Sequence, residues 1–211
     1  NIYFDEKSID EDLLNYRKAW NLRSEYLNKK YNIVVDFFQA DAAYLSDMKS
    51  NTFDIVASDA VFAHLTKYNE VINELHRVLK SNGTLYATFG PLWHCYGGDM
   101  VSGNSGYDHL LLTDEEYKNY LDGFGEYIPI SPDSRIWILN NLLSKLKPEQ
   151  YMDALSQSGF KKMYVSAIIS KKAIYFRKNN PDVFGKLLEK YSDNDLLVES
   201  LALVFRKVAQ C

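Results

Sequence analysis

Cysteine is nearly absent from this 211-residue chain, which has only Cys95 and Cys211. A secreted disulfide framework uses more. Two reduced thiols and a cytoplasmic setting are therefore expected, with a single bridge as the alternative. No run of 18 apolar residues occurs, so no transmembrane helix and no membrane partner are expected. Positive charge is not in excess: 24 Lys and Arg stand against 28 Asp and Glu, a net charge of -4. That argues against a nucleic-acid partner bound through a basic surface. The His and Cys residues lack spacings such as C-x-x-C or H-x-x-x-H, so no metal site is expected. Internal repeats are missing too. The chain starts at Asn1 rather than Met, and sequence ahead of it is expected.

What is present is an ordinary globular composition, 46% hydrophobic and 25% charged, with 16 Tyr, 11 Phe and 3 Trp to fill a core. Ile2-Tyr3-Phe4 reads as the end of a strand that Asp5 closes. Ser8 to Glu11 has the form of a capping box opening a helix to about Lys30. The β-branched and aromatic run Ile33 to Phe38 predicts a strand, and Phe53 to Ser58 another. Val71, Ile72, Leu75, Val78 and Leu79 form one apolar helix face. Ser81-Asn82-Gly83 supplies its stop, with Gly83 suited to the left-handed position. Thr84 to Phe89 is the next strand. Helices between short apolar strands predict an α/β fold with a parallel sheet.

From Gly90 to Gly106 the chain is irregular, with Gly90, Gly97, Gly98, Gly103 and Gly106. Loops of this length within a domain often carry function. Thr113 to Glu116 is a second capping box, opening a helix through Tyr120. A helix is expected from Ile136 to Leu146, another from Pro148 to Gly159 and a third from Pro181 to Tyr191. Strands are expected at Lys162 to Ile169 and Leu201 to Phe205.

Several segments, in order, resemble the class I methyltransferases that use S-adenosylmethionine. They are Phe38-Gln39-Ala40-Asp41-Ala42, Phe53-Asp54-Ile55-Val56, Val61-Phe62-Ala63-His64-Leu65, His76-Arg77-Val78-Leu79-Lys80 and Asn82-Gly83-Thr84-Leu85. Ser158-Gly159-Phe160 and the terminal Leu203 to Lys207 continue the likeness. The resemblance implies a Rossmann-like, doubly wound, mostly parallel sheet with an antiparallel last strand. It implies one domain over 1–211: a cofactor half at 1–90, an acceptor cover at 91–160 and closing strands at 161–211. The family's Gly-rich turn, E/D-x-G-x-G-x-G, does not occur ahead of Asp5, so the first strand is expected to be missing. A fragment, a fold closed differently and a different family are the three explanations.

The resemblance also implies roles. Asp5 would accept from the cofactor ribose, Asp41 from the adenine amino group, and the Ala42 amide would donate to a ring nitrogen. Ser58, Asp59 and His64 would line the same crevice, beyond the carboxyl ends of the strands. His94 and His109 flank the irregular loop and are candidate general bases. Trp93, Tyr96 and Tyr107 are candidate walls for a small-molecule acceptor. The expected reaction is methyl transfer to an oxygen or nitrogen of that acceptor, such as a sugar or another metabolite. The alternatives are a non-catalytic methyltransferase-like domain that binds a partner and, more weakly, a nucleotide-dependent oxidoreductase.

Overall fold

The computed structural model describes residues 6–36, 40–93, 95, 106–123 and 132–209. Asp5, His94 and Tyr96 lie outside these residues. The chain divides into two compact units, Asn1–Asp41 and Ala42–Cys211.

The first unit is built on helix α1 (Glu6–Tyr31). It begins ahead of Ser8, so the expected capping box lies within the helix instead of opening it. Asn32, at φ 52°, takes the left-handed position that ends it. The described part of the expected strand at Ile33 to Phe38, residues 33–36, is irregular. A β-branched run becomes a strand only when a neighbouring strand takes its backbone groups. Here the Val35 amide donates to Asn28 Oδ1 at 2.7 Å, and its carbonyl accepts from the Ser24 hydroxyl.

The second unit holds strands β1 (Phe53–Asp59), β2 (Leu79–Phe89), β3 (Phe160–Ile169) and β4 (Val198–Lys207). Their order is β1-β2-β4-β3. β1 and β2 are parallel, and β4 is antiparallel to both neighbours. The expected mostly parallel α/β sheet with an antiparallel last strand is thus present, in a form compatible with a truncated Rossmann-like fold. Among the described residues, no strand pairs with the other edge of β1.

Helix α2 (Tyr68–Val78) connects the parallel pair, as a crossover must. Tyr68, Val71, Ile72, Leu75 and Val78 are its buried stripe. The first four pack with Tyr151 and Leu155 of α6 (Pro148–Gln157) onto one face of the sheet, against Leu85, Ala87, Phe89, Leu203 and Phe205. The chain turns straight from α2 into β2 at Leu79 (ψ 139°), which replaces the expected glycine stop. Asn82, not Gly83, carries the positive φ, 64°. Gly83 is required for closeness, because a Cβ there would lie 2.8 Å from the Lys80 carbonyl. Arg77, from the family-like segment, forks onto the Met48 and Leu45 carbonyls at 2.8 Å each and pairs with Glu74. It thereby pins the loop between Ala42 and β1 to α2.

The opposite sheet face is open. By register, Ile55, Tyr86, Tyr164 and Ile168 share it, and they are 66%, 41%, 57% and 60% exposed. A second apolar cluster gathers Cys95, Tyr107, Ala173, Phe176, Phe184, Leu187 and Leu196. It is built on α7 (Lys171–Asn179), α8 (Pro181–Leu188) and α9 (Asp193–Leu197). Between Tyr107 and α6 in sequence come α3 (Asp108–Leu111), α4 (Asp114–Asp122) and α5 (Pro132–Asn141). The Thr113 capping box is present: Glu116 Oε2 accepts the Thr113 amide at 2.8 Å. The helix expected to reach Leu146 stops at Asn141, because the Ser144 amide donates to Ala63 O at 2.8 Å instead.

Candidate functional site

Two arrangements sit beyond the carboxyl ends of the parallel strands, where ligands bind in open α/β sheets. At the end of β1, Ser58 is half-buried and Asp59 exposed. Asp59 accepts a hydrogen bond from the Thr88 hydroxyl on β2. Ala60 follows at φ 56°, and its N–H donates to Thr88 O at 2.7 Å. A left-handed alanine is strained, and such residues cluster at ligand-binding turns. His64 is exposed and ends the 3-10 turn Phe62–His64, which is anchored by buried Phe62.

The second arrangement is a cleft of about 260 Å³ after β2. The chain leaves β2 through Gly90 and Pro91 to Leu92 and Trp93. The Trp93 indole donates to Leu146 O at 3.0 Å and lies 5.1 Å from the Tyr191 ring. His109, on α3, meets Leu92 O through Nε2 at 3.0 Å. A carbonyl only accepts, so this bond places the ring hydrogen on Nε2 and makes Nδ1 the basic nitrogen of the neutral imidazole. A polar chain closes the other side. Lys145 Nζ donates to Asn140 Oδ1, and Asn140 Nδ2 to Asp114 Oδ2, both at 2.8 Å. Behind Tyr191, Lys147 lies over its ring at 5.7 Å and pairs with Asp195 at 3.1 Å.

Of the residues singled out from the sequence, Trp93 and His109 come together in this cleft. Ser58, Asp59 and His64 lie at or just beyond the carboxyl end of β1. Asp41 is exposed in the first unit, and Ala42 packs against the main core of the second. Tyr107 does not line the cleft. It is fully buried in the second cluster, where its hydroxyl donates to Leu196 O at 2.7 Å and burial pushes its pKa up. Burial likewise pushes the Cys95 thiol up to about 11, so it is not a ready nucleophile. Asp114, Tyr117, Asn140, Lys145 and Tyr191 were not singled out. They come from four separate segments, and no local pattern announces their meeting.

Residues 13–87 match the model of a methyltransferase domain. Among solved structures, a candidate methyltransferase from Bacillus halodurans is 14% identical, over 90% of this chain and 79% of that one, at a TM-score of 0.51. The [4+2]-cyclase SpnF is 15% identical over 88% of this chain, at a TM-score of 0.46. Haemonchus contortus phosphoethanolamine N-methyltransferase 2, in complex with S-adenosyl-L-methionine, is 16% identical over 81%, at 0.44. This chain spans 61% of the cyclase and 36% of the Haemonchus enzyme. No curated protein matches the sequence. The matched segment runs from α1 into β2, and its likeness to a methyltransferase domain, with a strand order compatible with a truncated Rossmann-like sheet, is consistent with a class I, S-adenosylmethionine-dependent methyltransferase.

Proposed function

We propose that this protein transfers a methyl group from S-adenosylmethionine to an oxygen or nitrogen of a small, hydroxylated acceptor held in the cleft after β2. The observation that carries the reading is the methyltransferase-domain match, which ends at Ala87, just before the chain leaves β2 for that cleft. The donor set at the end of β1 suits the cofactor: a hydroxyl at Ser58 and a carboxylate at Asp59, beside the strained turn at Ala60. By the family resemblance, Asp41 and the Ala42 amide serve the adenine.

The cofactor supplies a methyl on a sulfonium, so the leaving group is a neutral thioether and alignment supplies much of the rate. His109 takes the acceptor's proton on Nδ1 as the new bond forms, while its Nε2–H stays on Leu92 O. Trp93 and Tyr191 give the acceptor an apolar wall, and the Asp114–Asn140–Lys145 chain presents groups for hydroxyls. An aromatic face beside such a polar chain suits a sugar ring.

Calorimetry with S-adenosylmethionine tests the reading. Saturable binding is expected, and Asp41→Ala weakens it by about 1–3 kcal/mol, the cost of a lost hydrogen-bond partner. No binding at millimolar cofactor overturns the proposal. Unchanged affinity in the variant removes Asp41 from the adenine site.

A further inference from the structure

At the far end of the sheet lies a second cleft, of about 310 Å³, lined by Asn82, Lys161, Met163, Arg206, Lys207 and the backbone-adjacent Val208. It is separate from the methyl-transfer site. β2 runs from Asn82 beside this cleft to Phe89 beside the other, seven residues on, roughly 20 Å at about 3.3 Å per residue. Its charge is one-sided in a chain whose net charge is -4. Lys161 and Arg206 are direct cross-strand partners on β3 and β4. Like charges placed opposite each other destabilise a sheet. Yet no carboxylate pairs with either among the described residues.

Lys207, the next residue, adds a third cation from the buried side. It is 8% exposed, and its ammonium donates to Asn51 Oδ1 at 2.9 Å and Leu79 O at 2.8 Å. Both acceptors are neutral, so its charge has no counter-ion among the described residues. Desolvation lowers its pKa, as expected for a cation held without an acid. Lys161 and Arg206 stand on one face of the sheet, and Lys207, pointing to the opposite face, adds positive charge behind them.

We propose that this cleft binds a phosphorylated small molecule through its phosphate group. Arg206 and Lys161 hold the phosphate oxygens from two strands, and Lys207 adds positive field from below. A dianion matches this charge better than a single carboxylate does. The cleft has room for a short organic tail along Met163 and Val208.

Pyrophosphate and inorganic phosphate are the probes, titrated into the full chain at low salt and followed by amide NMR. Pyrophosphate is expected to give saturable shifts at Asn82, Lys161 and Arg206. Lys161→Gln and Arg206→Gln should each weaken it by about tenfold, the size of one lost charge-assisted hydrogen bond. Both positions are exposed, so these variants keep the fold even if a Lys207 variant does not. Lys171→Gln, outside the cleft, should change nothing. No saturation at millimolar pyrophosphate, or equal affinity in both Gln variants, overturns the proposal. So does binding to phosphatidylglycerol vesicles without a response to pyrophosphate.

Discussion

His76 sits edge-on to Phe160 at 5.1 Å, with its Nε2 3.1 Å from where a Cβ on Gly159 would lie. Burial, and then the charge of nearby Lys207, lower its pKa from the ordinary value of 6.5. The unfolded chain therefore takes up this proton at a higher pH than the folded one. The neutral ring's contribution to stability is full above 6.5 and is lost as pH falls through the folded pKa. Urea unfolding at about pH 7.5 and about pH 5 should show a lower midpoint in acid, and His76→Gln should reduce that difference. An identical acid loss in the variant assigns it to other groups.

Asp195 is a buried charge tied to the cleft through Lys147. Its side chain is 1% exposed, and it accepts the Ser192 amide at 2.9 Å and pairs with Lys147, which is 39% exposed. Removing one partner of a fully buried pair costs roughly 3–5 kcal/mol. Lys147 is partly solvated, so Asp195→Ala should cost about 2 kcal/mol. Because Lys147 backs Tyr191, a drop in melting temperature should come with a change in the environment of Trp93. Fluorotryptophan NMR would detect it, and an unmoved Trp93 signal would detach the ion pair from the cleft.

At the scale of elements, β1 is the exposed side of the design. It pairs with β2 on one edge only among the described residues, and Ile55 presents a 66% exposed apolar side chain beside the other. Parallel strands normally lie within a sheet and under cover on both faces, and an open apolar edge invites pairing with other chains. Ile55→Lys should therefore lower concentration-dependent self-association in sedimentation velocity while leaving the fold unchanged. If association persists undiminished, this edge is not its route.

The elements also differ in how far the sequence exposed them. α2 was readable because Val71, Ile72, Leu75 and Val78 repeat on one helical face and all are buried. β3 and β4 were readable as apolar runs, β3 directly after the Gly159 stop at φ 87°. The run at Ile33 misled, because strand formation depends on a neighbour that local pattern cannot supply, and side chains of α1 took the Val35 backbone groups. Of the site, Trp93 and His109 could be found because they lie in or beside the irregular stretch from Gly90 to Gly106. Tyr107 has the same aromatic character but points into a core. Asn140, Lys145 and Tyr191 become neighbours only through packing of distant segments.

Across the chain as a whole, the division after Asp41 leaves residues 42–211 as a body of their own. Residues 42–211 contain all four strands and both apolar clusters. Its ladders join residues far apart in sequence, such as Leu85 with Phe205 and Phe160 with Lys207. Arg77 further ties the Leu45 to Met48 loop into the same body. Such a body has what a cooperative unit requires: its own core, and ladders that join its strands across the sequence. Produced alone, 42–211 should melt in one transition and protect the amides of β2 and β4 from exchange. A broad, non-cooperative melt would show that the first unit is needed for folding.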